Sequence, residues 1–167
     1  MFDKKQNLSD YNTDTIPNAE DMSFGIVVSE WNPEITNALK KGAVEAFVKH
    51  HVLEENIIIE YVPGSFELPL AAQWMLAHLE VDAVICLGCV IQGETRHFDF
   101  ICQGVTNGIV QLNQAFGRPV VFGLLTTNNN QQAIERAGGK HGNKGVEAAI
   151  TAIKMVDLGR KISGNQD

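Results

Sequence analysis

The sequence predicts a single-domain α/β protein, a three-layer α/β/α sandwich built around a mainly parallel four-stranded sheet. Its 167 residues correspond to about one domain. Short apolar runs of strand length alternate along the chain with segments whose apolar residues recur at helical spacing. The runs are almost continuously apolar, which is typical of parallel strands covered by helices on both faces.

The first half of the chain supplies two strand–helix units. The run FGIVVSE (24–30) predicts the first strand, and Asn32 and Pro33 suit the N-cap and first turn of the helix that follows. The run NIIIEYV (56–62) predicts the second strand, and ELPLAAQWMLAHL (67–79) predicts the second helix.

The second half continues the alternation. The run AVICLGCVI (83–91) predicts the third strand, and a helix is expected at about 97–115. After a Gly–Arg–Pro turn, VVFGLLTT (120–127) predicts the fourth strand. TNNNQQAIERAGG (127–139) predicts a short helix with polar residues at its start and Gly at its end. GNKGVEAAITAIKMV (142–156) predicts the final helix.

Both ends of the chain are polar. Residues 1–23 lack hydrophobic periodicity and predict a mobile or partner-bound arm, which could add a strand to a neighbouring subunit. The domain itself is expected to span 24–158, followed by a polar tail at 159–167.

Charge and hydropathy exclude several partners. The formal net charge of −7 argues against nucleic acid, because phosphate binding requires a basic face. No apolar run is long enough to span a bilayer, and the N-terminus lacks an apolar signal core. We therefore expect a cytoplasmic protein that acts on small molecules or other proteins.

Cys86 and Cys89 have the CxxC spacing of redox and zinc motifs. They lie within a predicted strand, where an offset of three places their side chains on opposite faces. No second pair follows to complete a metal site. We expect small buried core residues, with redox chemistry as the alternative, and no metal.

Three loops follow the carboxyl ends of the predicted strands, where parallel sheets bind their ligands: SEWNP, VPGSFELP and QGETRH. In the second loop, Gly64 and Ser65 precede a helix whose first N–H groups could donate to hydroxyls or anions; a plain turn is the alternative. In the first loop, Trp31 could stack on a flat heterocycle or be buried in the core.

The loop QGETRH has the most specific content. Gly93 allows close backbone approach to a ligand, and the N–H groups of residues 94–96 are expected to open a helix and form an anion site. His97 could transfer protons near neutral pH, although a structural or solvated histidine is the alternative.

IERAGGKHGNKG supplies a second group of cations among glycines. It lacks the GxxxxGK[ST] order of a phosphate loop and follows a helix instead of a strand, so a nucleoside triphosphatase is not expected. Arg136 could bind phosphate in a bidentate way, or it could be a solvated cation at a helix C-terminus.

Taken together, VVSEWN, VPGSFELP, LGCVIQGETRHFDFIC, FGLLTTNN and QAIERAGGKHGNKG resemble the 6,7-dimethyl-8-ribityllumazine synthase family in order and spacing, over about 24–158. The resemblance implies a flavodoxin-like fold and a transferase of riboflavin biosynthesis. It would condense 5-amino-6-(D-ribitylamino)uracil with 3,4-dihydroxy-2-butanone 4-phosphate, in the penultimate step of the pathway. Neither a metal nor an organic cofactor is implied.

The resemblance also implies residue roles. His97 would be catalytic and would move protons. The implied substrate-binding residues share one pocket and are Trp31, Ser65, Phe66, Glu67, Val90, Ile91, Gly93, Glu94, Thr95, Phe122, Arg136 and Lys144. Trp31 would stack on the pyrimidine, which Val90 and Ile91 would also line, and Ser65, Phe66 and Glu67 would bind the ribityl chain.

The phosphate would be held by the backbone of residues 93–95 together with Arg136. Phe122, Arg136 and Lys144 would reach the pocket from the adjacent subunit of a homopentamer. Some members of the family close twelve pentamers into a 60-subunit shell, and the absence of an insertion in AGGKHGNKG favours that shell over a free pentamer or a decamer. If a shell forms, riboflavin synthase could be its guest.

The chain departs from the usual family residues at Gln92, Glu94, Arg96 and His141. We expect the Glu94 carboxylate to point outward and to pair with Arg96 or another cation. Two rival functions stay open, namely a non-catalytic relative that binds flavin or lumazine, and a flavodoxin-like cofactor or signalling module.

Overall fold

Runs rich in β-branched residues form the strands of the central sheet. The computed structural model describes residues 7–164 of the chain. The strands are β1 (Phe24–Ser29), β2 (Ile57–Val62), β3 (Ala83–Ile91) and β4 (Val120–Thr127). They form a four-stranded sheet in the order β2-β1-β3-β4, and every neighbouring pair is parallel. The predicted parallel sheet is confirmed.

The helices are α1 (Pro33–Lys49), α2 (Leu68–His78), α3 (His97–Phe116), α4 (Asn130–Arg136) and α5 (Lys144–Ser163). Short 3-10 turns lie at Thr13–Thr15, Glu54–Asn56 and Ser65–Glu67. Each of the five predicted helices is present within residues 7–164.

The sheet divides the apolar core into two, which makes the predicted three layers. On one face, α1 and α5 pack against the strands, and Phe24 of β1 stacks on Phe47 of α1 with ring centroids 4.3 Å apart. On the other face, α2 and α3 contribute Leu68 and Val105 to a second buried cluster. Burial of both faces explains why the strands are apolar at almost every position.

The start of α1 differs from the prediction in one respect. The helix begins at Pro33, but the Asn32 side chain makes no capping hydrogen bond. Asn32 lies in the left-handed region (φ 55°, ψ 57°), and its Nδ2 donates to the Cys89 carbonyl at 3.0 Å. The predicted N-cap position of Asn32 is confirmed, but its side chain does not cap the helix, because the contact with the Cys89 carbonyl takes it. At the start of α4 the predicted polar cap is present, because Asn129 Oδ1 accepts a hydrogen bond from the Gln132 N–H at 2.9 Å.

Residues 137–143 form an antiparallel hairpin that the sequence did not predict. Its strands are β5 (Ala137–Gly139) and β6 (Gly142–Asn143). Neither strand contains a β-branched or aromatic residue, so no strand signal is present. Gly138 (φ 111°) and Gly142 (φ 78°) supply backbone conformations that other residues rarely adopt.

The last helix is longer than predicted. It begins at Lys144 and continues past Val156 to Ser163, so it enters the stretch expected to be a polar tail. An ion pair of 2.6 Å between Asp157 and Lys161 stabilises this extension. Gly164, in the left-handed conformation (φ 78°), ends the helix. Residues 165–167 of the predicted tail lie outside the described residues.

The described part of the arm lies on its own chain. Ala19 and Met22 are buried in the core, and the Leu8 N–H donates to the His141 carbonyl at 2.7 Å. Residues 7–23 contain no strand. Residues 1–6 lie outside the described residues, and the strand that the arm could add to a neighbouring subunit stays a prediction.

Cys86 and Cys89 are core residues on opposite faces of β3, as predicted. Cys86 belongs to the cluster under α2 and α3, and Cys89 to the cluster under α1 and α5. Burial raises the pKa of the Cys86 thiol to about 12 and that of Cys89 to about 11. Both thiols are therefore protonated at neutral pH, which makes them poor redox nucleophiles.

No helix within residues 7–164 is both long and apolar enough to cross a membrane.

Candidate active site

The three loops singled out from the sequence meet at one edge of the sheet. The Glu30 N–H donates to the Val62 carbonyl at 2.8 Å, which ties the end of β1 to the end of β2. Asn32 Nδ2 ties the same loop to β3 through the Cys89 carbonyl. The parallel arrangement of the strands places these loop starts side by side, as expected.

A cavity of about 550 Å³ opens between these loops. Seven of the predicted site residues line it: Trp31, Ser65, Phe66, Glu67, Val90, Ile91 and His97. Four residues outside the predicted set line it as well: Asn32, Gly64, Cys89 and Ile101. Ile101 could have been found from the sequence, because it lies four residues after His97 and so on the same helix face.

Trp31 lies at the mouth of the cavity and is 71% exposed, which excludes the alternative that it is a core residue of this chain. A Cβ built on Gly64 would lie 3.5 Å from Trp31 Cδ1 and 3.0 Å from Glu67 Oε2. The bare Gly64 backbone therefore lies between the indole and the Glu67 carboxylate. The exposed indole is able to stack on a flat ring.

The 3-10 turn Ser65–Glu67 forms one wall of the cavity. A Cβ built on Gly88 of β3 would lie only 2.8 Å from Ser65 Oγ, so the absence of a side chain at Gly88 leaves room for the Ser65 hydroxyl. Phe66 is exposed and lies against α3, where a Cβ on Gly104 would be 3.2 Å from its ring. The wall thus combines a hydroxyl, a carboxylate and an aromatic ring.

Another part of the cavity lining is apolar. Val90 and Ile91 end β3 and are partly buried, and Ile101 of α3 lies beside them in the cavity lining. An apolar surface and an exposed indole in the same cavity suit a planar heterocycle.

The loop before α3 carries His97 into the cavity. His97 is exposed and is the first residue of a 20-residue helix. The predicted helix start at about His97 is confirmed, with Arg96 at the N-cap, whereas residues 94 and 95 precede the helix. The His97 N–H donates to Thr95 Oγ1 at 3.4 Å. Within residues 7–164, the N–H groups of residues 94–96 donate to no protein acceptor, so they could bind an anion at the helix start.

Arg96 does not pair with Glu94. Its Nε lies 3.6 Å from Asp99 Oδ2, at i,i+3 spacing on α3. Within the described residues, Glu94 has no ion-pair partner at 4.0 Å or less. The expected Glu94 pairing is therefore wrong, because the helix offers Arg96 a closer carboxylate.

Six predicted residues do not line this cavity: Gly93, Glu94 and Thr95, which lie in the loop before α3, and Phe122, Arg136 and Lys144. Arg136 Nη1 donates to the Gln132 carbonyl at 3.1 Å, at the end of α4. Lys144 Nζ lies 2.7 Å from Glu147 Oε1 in the first turn of α5. Phe122 is partly buried on β4, on the α2–α3 side of the sheet. One chain therefore does not bring the two predicted half-sites together.

A charged cluster lies next to Arg136 on the hairpin. Glu135 contacts Lys140 Nζ at 2.8 Å and His141 Nε2 at 3.7 Å. The hydrogen bond from Lys140 is the main cause that lowers the pKa of the Glu135 carboxyl, and the Gln131 hydrogen bond and nearby positive charge add to it. Glu135 therefore binds Lys140 and His141.

No group of three His, Cys, Asp or Glu side chains within residues 7–164 could hold a metal ion.

Comparison with known proteins points to one family. The family model for 6,7-dimethyl-8-ribityllumazine synthase matches residues 21–160. A relative from Cytophaga hutchinsonii with that name is 60% identical over 156 residues, which cover 93% of this chain and 98% of the relative. A relative of the same name from Phocaeicola vulgatus is 54% identical, over 96% of this chain and 95% of the relative. Another from Porphyromonas gingivalis is 55% identical, over 92% of this chain and 96% of the relative.

Proposed function

The chain belongs to the 6,7-dimethyl-8-ribityllumazine synthase family, and from that premise we propose that the cavity beside Trp31 is one half of its active site. The protein is a transferase of riboflavin biosynthesis. It condenses 5-amino-6-(D-ribitylamino)uracil with 3,4-dihydroxy-2-butanone 4-phosphate and releases phosphate and water. The observation that carries this conclusion is the identity of 60% with a synthase, extended over 93% of the chain.

The pyrimidine substrate is assigned to the cavity. Its flat ring would stack on Trp31 and contact Val90 and Ile91, while the ribityl hydroxyls would meet Ser65 and Glu67. Two features of the cavity support this assignment, namely the exposed indole and the polar wall formed by the Ser65–Glu67 turn. Phe66 would close the side of the pocket against α3.

The phosphorylated substrate is assigned to the start of α3. Its phosphate would accept hydrogen bonds from the backbone N–H groups of residues 93–95, since the Glu94 and Thr95 N–H groups donate to no acceptor within residues 7–164. A dianion is also favoured by the positive end of the α3 dipole. Glu94 would contribute only its backbone, because its carboxylate would repel the phosphate.

Each chemical step needs a proton to move. The pyrimidine amine attacks the ketone and forms an imine with loss of water; phosphate then leaves by elimination, and ring closure releases a second water. His97 lies in the cavity at the start of α3, where an imidazole can pass protons between these intermediates. Such acid–base catalysis contributes about 10²–10⁴-fold, whereas orientation of two reactants contributes up to about 7–11 kcal/mol. Orientation of the substrates therefore accelerates the reaction more than proton transfer does.

The second half of the site would come from a neighbouring subunit. Phe122, Arg136 and Lys144 lie outside the cavity of their own chain, which supports a shared site. In a closed ring, each chain would present these residues to the cavity of the next chain. We assign the protein to a homopentamer, with twelve pentamers in a 60-subunit shell and riboflavin synthase as a guest, in the cytoplasm.

The activity is tested by mixing the purified protein with both substrates and following the lumazine absorbance together with released phosphate. Product should form only when both substrates are present, and chelator treatment should leave the rate unchanged. Binding of lumazine or riboflavin without turnover would instead indicate a non-catalytic relative.

Light scattering tests the assembly, because a pentamer and a 60-subunit shell differ twelvefold in mass. A monomeric protein that is fully active would contradict a site shared between subunits.

A further inference from the structure

The arm lies against the hairpin that joins Arg136 to Lys144. The Leu8 N–H donates to the His141 carbonyl at 2.7 Å. The Asn143 N–H donates to Ser9 Oγ at 2.9 Å, across 134 positions of sequence. Two consecutive residues of the arm therefore bind two residues of the hairpin.

The fit at this contact is close. Gly142 has φ 78°, and a Cβ built on it would lie 2.1 Å from Asn7 Oδ1 and 2.6 Å from the Ser9 nitrogen. Asn7 Oδ1 also accepts from the Ser9 N–H at 2.9 Å, which fixes the turn of the arm over Gly142. The arm segment, residues 7–11, thus occupies the space that a side chain at position 142 would fill.

The residue that Ser9 binds also sets the position of Lys144. Asn143 Oδ1 accepts from the Gly145 N–H at 2.8 Å, which caps α5, and its Nδ2 donates to the Ala38 carbonyl of α1 at 3.0 Å. Asn143 is nearly buried, and Lys144 is the next residue along the chain. A shift of the Asn143 backbone would therefore move Lys144.

The other end of the arm segment is anchored on α1. Tyr11 Oη lies 3.0 Å from His50 Nε2, and Lys49 Nζ lies 5.4 Å from the centre of the Tyr11 ring. The arm segment is thus held at α1 and at the hairpin, so it connects the two.

We propose that Ser9 is a positioning residue for the phosphate half-site: by binding the Asn143 N–H, its hydroxyl fixes the hairpin that joins Arg136 to Lys144. This inference rests on the proposed function, in which Arg136 binds the phosphate and Lys144 belongs to the same half-site. Ser9 touches neither substrate, so it acts only through the hairpin. Loss of its hydroxyl should weaken phosphate binding and leave pyrimidine binding unchanged.

The test compares Ser9→Ala with Ser9→Thr, which keeps a hydroxyl, and with Thr15→Val. Thr15 is the matched control, because its hydroxyl donates only within the arm, to the Asn12 carbonyl at 2.8 Å. For Ser9→Ala, the KM for the phosphorylated substrate and the inhibition constant of inorganic phosphate should both rise by about three- to tenfold, as expected for one lost neutral hydrogen bond. The KM for the pyrimidine and kcat should stay within about twofold.

Ser9→Thr should restore the wild-type values, and Thr15→Val should not alter them. Unchanged constants in Ser9→Ala, or an equal rise in the KM of both substrates, would overturn the proposal.

Hydrogen exchange separates this proposal from the proposed function. The Asn143 amide should exchange faster in Ser9→Ala than in Thr15→Val, whether or not the protein turns over substrate. Equal exchange at Asn143 in the two variants would refute the role of Ser9, whereas absence of lumazine formation by the wild type would refute only the proposed function.

Discussion

Asn32 offers a test of how the first loop holds Trp31 beside the cavity. Its side chain donates to the Cys89 carbonyl at 3.0 Å, and its backbone is left-handed, with φ 55°. Asn32→Ala removes the hydrogen bond and places a residue with a Cβ and no local polar contact in that conformation. Asn32→Gly removes the same hydrogen bond but tolerates the backbone, so the two variants separate the two effects.

The magnitudes follow from these two contacts. Losing the hydrogen bond should lower the free energy of unfolding by about 0.5–1.5 kcal/mol in either variant. The left-handed conformation should add about 1 kcal/mol for alanine. The free energy of unfolding should therefore fall by about 2 kcal/mol in Asn32→Ala and by about 1 kcal/mol in Asn32→Gly. Both variants should raise the KM for the pyrimidine, because the loop that carries Trp31 loses the hydrogen bond from Asn32 to the Cys89 carbonyl of β3.

Urea unfolding at constant m-value measures the stability difference, and steady-state kinetics measure the KM. The reasoning would be refuted if Asn32→Ala were no less stable than Asn32→Gly, since the left-handed backbone would then carry no penalty. A pyrimidine KM unchanged in both variants would show that Asn32 does not orient Trp31.

Three further predictions concern the site and the arm. His97→Ala should keep measurable turnover, whereas Arg136→Ala should lose about 10- to 100-fold in affinity for the phosphorylated substrate, as measured by steady-state kinetics. Trp31→Ala should raise the pyrimidine KM without lowering the midpoint of thermal unfolding, because the indole is 71% exposed. Burial, with the nearby Lys49 and His51 charges, lowers the pKa of His50 in the folded protein. Below about pH 6.5 the unfolded chain therefore binds more protons at His50 than the folded chain does. The free energy of unfolding should fall as the pH drops through this range. Urea unfolding between pH 7 and 5 should show this slope, and His50→Gln should flatten it.

Distinct results would contradict each of these expectations. A larger loss from His97→Ala than from Arg136→Ala would reverse the ranking of proton transfer and orientation. A clearly destabilised Trp31→Ala would indicate a packing role for the indole. An unchanged pH slope in His50→Gln would assign the titration to another group.

The sheet could be predicted from the sequence because its strands are buried on both faces. The run at 83–91 matches β3 residue for residue, since continuous burial leaves a continuous apolar signal. The β5–β6 hairpin could not be predicted, because glycine conformation and contacts with the arm determine it. The extension of α5 to Ser163 was missed because it rests on an ion pair and a C-terminal glycine and not on buried residues.

The site was predictable to the extent that it depends on one chain. Parallel strands bring their carboxyl ends together, so the order of strands and loops along the chain is enough to place Trp31, Ser65 and His97 in one cavity. The contact that the Asn32 side chain makes was missed, since its partner, the Cys89 carbonyl, lies 57 positions away. Arg136 lies outside this cavity in its own chain, and in the proposed shared site its placement would depend on a surface of another subunit, which local sequence patterns do not encode.

The most direct test of a site shared between subunits is complementation between two impaired variants, each altered in a different half of the site. Subunits carrying His97→Ala would be co-assembled in equal amounts with subunits carrying Arg136→Ala. Random mixing should give about a quarter of the sites both wild-type residues, so activity should rise well above the mean of the separate variants. Activity that stays at that mean in a confirmed mixed assembly would show that His97 and Arg136 act within one chain or not together at all.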